Sequence, residues 1–294
     1  MMYDPDHTKT FYDAYVQAEW SRLEATAYGR LQAIIHTDFI RRYISKGDRA
    51  LDAGSGPGRF SIEMARIGAT VTVLDISRQQ IEDAKRKIEE ARALSSVGEF
   101  VVGDIIDLSM FPDEHFDAVV CFGGALSYTC EKRFQAFAEL MRVTRPGGII
   151  LMSVMSRMSF RDIVRKSGIP ILEDPDTAVG LGSSLWSILA TGDLLGFASR
   201  IGIQHPAMHL FTSEELQSLM DGCGILEVAG SNVTASEFSP ELDTVAENPK
   251  AWSTVIELEK KVNTDPGLIN SGSHIIVAAR VWLLNRPDQL GIKQ

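Results

Sequence analysis

The sequence predicts an α/β fold, a doubly wound and mostly parallel sheet with helices on both faces. Three observations carry this. Short apolar, β-branched runs alternate with longer helical stretches through residues 47–154. The first run, Ala50-Leu-Asp-Ala53, passes into Gly54-Ser-Gly-Pro-Gly58, with glycine at alternate positions, and a helix follows. Carboxylates then stand at successive strand ends, at Asp52, Asp75 and Asp104. Glycine in such a turn lets the backbone bend sharply and a ligand approach it closely. The first strand-to-helix turn of an open α/β sheet is where these folds bind a nucleotide-like ligand.

The elements follow in order. Residues 1–46 read as helical, with Trp20, Leu23, Ala27, Leu31, Ile34, Ile35 and Phe39 near helical spacing and Gly47-Asp48 as a stop signal. This stretch also carries Tyr3, Phe11, Tyr12 and Tyr15. Strands are expected at about 49–52, 71–75, 99–102, 117–121 and 148–154, with helices at 58–67, 77–94 and 131–144 between them. Their crossovers should be right-handed. Thr212 followed by Glu215 predicts a capping box at a helix start. Further strands are expected near 225–231 and 274–282. Two long connections stand out, 155–211 and about 233–272. Long connections in a compact domain are usually functional or disordered. The first is apolar (Trp186, Leu189, Leu194, Phe197) and reads as a cap over a substrate site.

Composition narrows the function. The chain has 294 residues and a formal net charge of −10. It lacks the basic footprint of a nucleic-acid binder, and its densest basic run, Lys85-Arg-Lys87, is followed at once by Glu89 and Glu90. No apolar run approaches the roughly 18 residues of a membrane span, and the acidic N-terminus carries no secretory signature. A cytoplasmic protein with neither nucleic acid nor membrane as partner is expected, and a homodimer is compatible with the sequence. The three cysteines, Cys121, Cys130 and Cys223, form no C-x-x-C pair and have no histidine cluster beside them, so no metal is expected.

The segment from Asp52 to Gly58 resembles the first motif, D/E-x-G-x-G-x-G, of the class I S-adenosylmethionine-dependent methyltransferases. Dinucleotide dehydrogenases use G-x-G-x-x-G there, and the third glycine of that spacing would fall at Arg59. Further motifs agree in order and spacing. Val71-Thr-Val-Leu-Asp75 ends in a carboxylate about 20 residues past the first glycine, the place of the ribose-binding acid. Phe100-Val-Val102 runs into Gly103-Asp104-Ile105, similar to the family's adenine motif. Phe111-Pro-Asp-Glu-His-Phe-Asp-Ala-Val-Val-Cys121 resembles its P-D-x-x-F-D-x-V strand entry, and Arg145-Pro-Gly-Gly148 its R-P-G-G turn before the fifth strand.

The resemblance implies a Rossmann-like methyltransferase fold with seven strands. It divides the chain into an N-terminal helical lid (1–46), a cofactor-binding core (47–154), an inserted substrate cap (155–211) and a segment completing the sheet (212–294). It implies S-adenosylmethionine as cofactor and S-adenosylhomocysteine as product. Gly54, Ser55, Gly56 and Gly58 would pass under the methionine part, with Asp52 orienting that turn or the ligand's amino group. Asp75, with Ile76 beside it, would hold the ribose. Asp104 and the Ile105 N–H would read the adenine, and backbone at Phe122 and Gly123 would accept from the amino group. Arg22 or Arg30 on the lid would pair with the carboxylate.

The expected activity is in-line transfer of a methyl group to a small molecule, with oxygen or nitrogen as the favoured acceptor atom. Positioning should dominate, since proximity and orientation supply roughly 7–11 kcal/mol against about 10²–10⁴-fold from a general base. Candidates for the acceptor side are His209, His205, Tyr15 and Tyr128, with Tyr12, Trp20 and Ser127 nearby in sequence regions of the same kind. His7, His36, His115 and His274 read as surface or packing residues. The alternatives are an NAD-dependent oxidoreductase and a non-catalytic S-adenosylmethionine-binding regulator.

Overall fold

The computed structural model describes residues 2–159, 186–194, 203–235 and 240–282. Its centre is a seven-stranded sheet in the order β3-β2-β1-β4-β5-β9-β8. The strands are β1 (Arg49–Ala53), β2 (Thr70–Asp75), β3 (Val97–Val102), β4 (Phe116–Cys121), β5 (Thr144–Met155), β8 (Cys223–Ser231) and β9 (His274–Val281). Neighbours among β1 to β5 pair in parallel, and β9 runs antiparallel to both β5 and β8. A separate two-stranded pairing joins β6 (Asp193–Leu194) to β7 (Met208–His209).

Helices on both faces bury the central strands, so they read as continuous apolar runs and not as alternating ones. Successive residues still point to opposite layers. Leu51, Leu74, Val119 and Cys121 belong to one core cluster, while Ala50, Val71, Val73, Ala118 and Val120 belong to the other. The first cluster is closed by the helices Arg133–Val143 and Ser213–Leu219, and the second by α3 (Ala27–Tyr43), α4 (Arg59–Ile67) and α5 (Arg78–Glu90).

Local chemistry sets the helix starts. Thr26 accepts from the Gly29 N–H, and Ser77 from the Gln80 N–H, each satisfying a donor the first turn leaves open. The predicted capping box is present: Glu215 accepts from the Thr212 N–H at 2.9 Å and Thr212 Oγ1 from the Glu215 N–H at 3.2 Å.

Several boundaries differ from expectation. The N-terminal stretch is three helices, α1 (Pro5–Ala14), α2 (Val16–Ser21) and α3, broken at Tyr15 and again after Ser21. The Arg145-Pro-Gly-Gly148 segment lies inside β5 as a bulge. Phe116 pairs with Thr144 but Ala118 pairs with Ile149, so the intervening residues are extra. Pro146 has no N–H for the ladder, and Gly147 takes φ +77°. The second long connection folds into the helices Pro240–Ala246 and Pro249–Val262. Its Asp243 accepts from the Ala27 N–H at 2.6 Å, which ties it to α3. Much of the expected cap, 160–185 and 195–202, lies outside the described residues.

Candidate active site

The strand order reverses between β1 and β4, and ligands of open α/β sheets bind at such a switch point, beyond the strands' carboxyl ends. A cleft opens there. Gly54, Ser55, Gly56, Asp75, Ile76, Asp104, Ile105, Phe122 and Gly123 form its floor, and Tyr3, Thr8, Tyr12, Glu19, Arg22 and Leu23 its roof. The space between its atoms, open mouth included, is about 850 Å³, within the range of small-molecule sites.

The carboxylates at the strand ends are already oriented. Asp75 Oδ2 accepts from the Gly56 N–H at 2.8 Å and Oδ1 from the Ser77 N–H at 2.9 Å. Burial lifts its pKa to about 6, with those two hydrogen bonds opposing the rise. Asp104 Oδ1 accepts from the Ile106 N–H at 3.0 Å, and Oδ2 from the Tyr3 hydroxyl at 2.8 Å. Burial pushes its pKa up too.

The glycines of the turn have different surroundings. A Cβ on Gly56 (φ +52°) would meet only Glu19 Cγ at 3.6 Å and Gln80 Oε1 at 3.9 Å, so this face is open. Gln80 Nε2 donates to the Tyr12 carbonyl, while its buried Oε1 has no partner. A Cβ on Gly58 would lie 3.0 Å from Ala84 Cβ and 3.2 Å from Ile88 Cδ1, so Gly58 serves the seating of α5 and does not line the cleft. Asp52 does not line it either. It is buried beneath the turn, accepts from Ser61 Oγ at 2.5 Å, and burial raises its pKa to about 7.

Of the acceptor-side residues, Tyr128 lines the cleft, its ring 5.5 Å from that of Tyr12. His205, Tyr15 and His209 do not. His205 Nε2 lies 3.4 Å from the Tyr128 hydroxyl, behind it. Tyr15 stacks on Phe11 at 5.2 Å. His209 is buried and its Nδ1 bonds Asp193 Oδ1 at 2.8 Å, across the β6–β7 pair. Burial lowers the pKa of both histidines. His36 and His274 are also buried and pack against each other, and His36 packs edge-on to Phe122. Burial lowers the His36 pKa to about 4.

Arg22 and Arg30 part company. Arg22 lines the cleft, whereas Arg30 bonds the Glu24 carbonyl at 3.1 Å and lies over Trp252. Sequence reasoning missed Thr8 and Glu19 as cleft residues. The available signal was Glu19-x-x-Arg22, an acid and a base one helical turn apart. Among the described residues no cluster of His, Cys, Asp or Glu could hold a metal ion. None of the described helices is long and apolar enough to cross a membrane.

Comparison with known proteins agrees with this geometry. Residues 51–152 match the model of a methyltransferase domain. The chain is 35% identical to a malonyl-[acyl-carrier protein] O-methyltransferase of Serratia marcescens, over 40% of this chain and 42% of that one. It thus spans less than half the length of that relative. A Bacillus subtilis protein named as a methyltransferase is 25% identical, over 75% of this chain and 91% of its own length. A crystal structure of a SAM-dependent methyltransferase from Methanosarcina mazei shares the fold, with a TM-score of 0.56 and 21% identity over 84% of this chain and 98% of that one. Residues 51–152 are thus a methyltransferase domain of the class I S-adenosylmethionine-dependent family, and that family implies an S-adenosyl cofactor.

Proposed function

We propose that this protein moves a methyl group from S-adenosylmethionine to a small-molecule acceptor, at oxygen or nitrogen. The observation that carries the reading is the alignment of Asp75 and Asp104 at adjacent strand tips beside the open face of Gly56. A nucleoside with an amino-acid arm fits this floor. The two carboxylates accept from ribose hydroxyls and from an exocyclic amine, and the Ile105 N–H donates to a ring nitrogen. Gly54, Ser55 and Gly56 line the place of the arm, and at Gly56 a Cβ would meet only Glu19 Cγ and Gln80 Oε1, at 3.6 and 3.9 Å. Backbone at Phe122 and Gly123 faces the same end. The sulfonium, when bound, supplies a methyl carbon with a good leaving group already attached.

The chain's own task is then orientation and exclusion of water. Residues 1–46 serve as a lid, since Tyr3, Tyr12 and Arg22 roof the cleft. Residues 155–211 serve as a substrate cap. Tyr128 is the acceptor-side residue best placed to touch substrate, with His205 behind it to take up a proton through the Tyr128 hydroxyl. His209 holds β7 to β6 through Asp193, and Asp52 anchors α4 through Ser61. A roofed cleft and a net charge of −10 favour a small acceptor in the cytoplasm over a nucleic acid or membrane surface.

The test is acceptor-dependent release of S-adenosylhomocysteine, followed by mass spectrometry. The acceptor panel holds phenols, carboxylic acids, amines and malonyl-[acyl-carrier protein], the acceptor in the Serratia relative's name. Release with at least one acceptor supports methyl transfer. Tight cofactor binding with no release across the panel favours a non-catalytic regulator.

A further inference from the structure

Tyr128 stands in a hydrogen-bonded chain whose direction follows from its proton inventory. His205 Nδ1 lies 2.9 Å from the Pro206 carbonyl. A carbonyl oxygen only accepts, so Nδ1 carries the ring proton and Nε2 of the neutral imidazole is an acceptor. Burial lowers the His205 pKa, the Pro206 bond opposes the shift, and the neighbouring His7 on α1 adds to it. Tyr128 therefore donates its one proton to His205 Nε2, at 3.4 Å. Catalytic hydrogen bonds are often this long in a ligand-free site and tighten with substrate. The Tyr12 hydroxyl also bonds that of Tyr128. With the Tyr128 proton already spent, Tyr12 is the donor. Burial holds both tyrosines protonated, Tyr128 up to about 12. Both line the cleft, so the pair presents lone pairs to it and no proton. The titratable groups facing the pair are Tyr15, Glu19 and Arg22. Glu19 and Arg22 are paired with each other at 2.6 Å, which leaves little net charge there. Phe60 and Phe122, edge to face at 5.4 Å, add flat apolar wall to the same cleft.

We propose that the cleft selects a neutral acceptor that brings its own proton, a phenol, and that Tyr128 and His205 remove that proton as the methyl group transfers. This rests on the methyltransferase reading above. The phenol O–H donates to Tyr128 Oη. Its oxygen forms the bond to the methyl carbon while the carbon–sulfur bond breaks and leaves its electron pair on sulfur. In the same step the phenol proton passes to Tyr128, and the Tyr128 proton passes to His205 Nε2. His205 is half-buried, so the imidazolium can return its proton to water. Tyr12 is a positioning residue: its donated bond fixes the Tyr128 hydroxyl and steadies the charge that passes through it. A carboxylate is already ionised at neutral pH, has no proton to give, and would meet only lone pairs here.

Turnover of phenols of graded acidity, from phenol to 4-nitrophenol, tests the proposal in wild type, His205→Gln and Tyr128→Phe. With phenol, each variant should lose roughly 10²–10⁴-fold in kcat and keep its affinity for S-adenosylhomocysteine within about threefold, which reports an intact fold. The loss should shrink toward none with 4-nitrophenol at pH 8, where that acceptor is already ionised. A loss equal across the phenols marks a structural role and overturns the relay. Independently of turnover, nitrogen NMR of histidine-labelled protein should find the His205 proton on Nδ1, with the Nε2 signal shifted in Tyr128→Phe. A proton on Nε2 overturns the relay as well. Transfer only to carboxylic acids or amines, or none to any phenol by a protein that binds S-adenosylhomocysteine, overturns the phenol assignment and leaves the cofactor reading standing. Should wild type bind no S-adenosylhomocysteine, the cofactor reading itself fails, and this inference with it.

Discussion

The backbone N–H of Gly56 donates to Oδ2 of Asp75 across 2.8 Å, so the glycine turn after β1 and the tip of β2 form one unit. The other carboxylate oxygen of Asp75 holds the Ser77 N–H at the start of α5. One side chain thereby fixes the floor of the cleft before any ligand arrives, which is how preorganised sites limit the entropy lost on binding.

Replacing Asp75 with Ala should therefore act twice. It strands two backbone donors, at about 1–3 kcal/mol for each unsatisfied buried group, and it removes the acceptor for the ribose. Lower thermal stability together with weaker S-adenosylhomocysteine affinity is the expected result. Calorimetry and thermal melting read the two effects separately, and an unchanged dissociation constant would contradict the ribose role.

The turn should respond differently at its two glycines. Gly58→Ala forces a methyl group to 3.0 Å from Ala84 at φ +79°, a combination of overpacking and strain of roughly 1–3 kcal/mol. Its effect should fall on stability, with cofactor affinity kept below the melting range. Gly56→Ala places its methyl on the open face and should weaken S-adenosylhomocysteine about tenfold or more, with only the left-handed backbone penalty of ~1–2 kcal/mol on stability.

Asp52 makes a pH prediction. Its pKa is 3.8 in a free chain and about 7 when buried in the fold. The folded protein thus holds a proton that the unfolded chain has released between these values, and the contribution to stability falls as pH rises through about 7. Asp52→Asn has no charge to bury and should melt higher than wild type at pH 8, by a margin that shrinks at pH 5. A lower melting temperature at pH 8 would show that the Ser61 contact outweighs burial of the charge.

Tyr3 makes the opposite kind of test, a gain. Its hydroxyl occupies Oδ2 of Asp104, the oxygen available for an exocyclic amine. Tyr3→Phe removes a competing hydrogen bond of about 0.5–1.5 kcal/mol, so adenosine-containing ligands should bind roughly 2- to 12-fold more tightly. Weaker binding would mean that Tyr3 belongs to the ligand site and does not compete with it.

The fold was legible because its determinants are local in sequence. Val71-Thr-Val-Leu-Asp75 is a buried strand in any context that supplies helices on both faces, and Thr212 with Glu215 can cap without distant help. Asp75 and Asp104 were legible for a related reason: each closes an apolar strand run at the spacing where the chain leaves the sheet for the cleft, and both line it. Asp52 and Gly58 sit in the same motif but point into packing, toward Ser61 and α5, and spacing alone does not separate those two uses. The roof was least legible. Arg22 and Arg30 share a helical stretch, and the break after Ser21 turns one inward and the other toward Trp252. Tyr3 reaches Asp104 across the tertiary fold, a contact that no local pattern encodes.

The most direct measurement is a crystal structure of the protein with S-adenosylhomocysteine. The account predicts one ligand lying across three strand tips, its amino-acid end over Gly54–Gly56, its ribose at Asp75 and its adenine at Asp104 and Ile105. A ligand bound elsewhere, or a cleft left empty at saturating concentration, would contradict it.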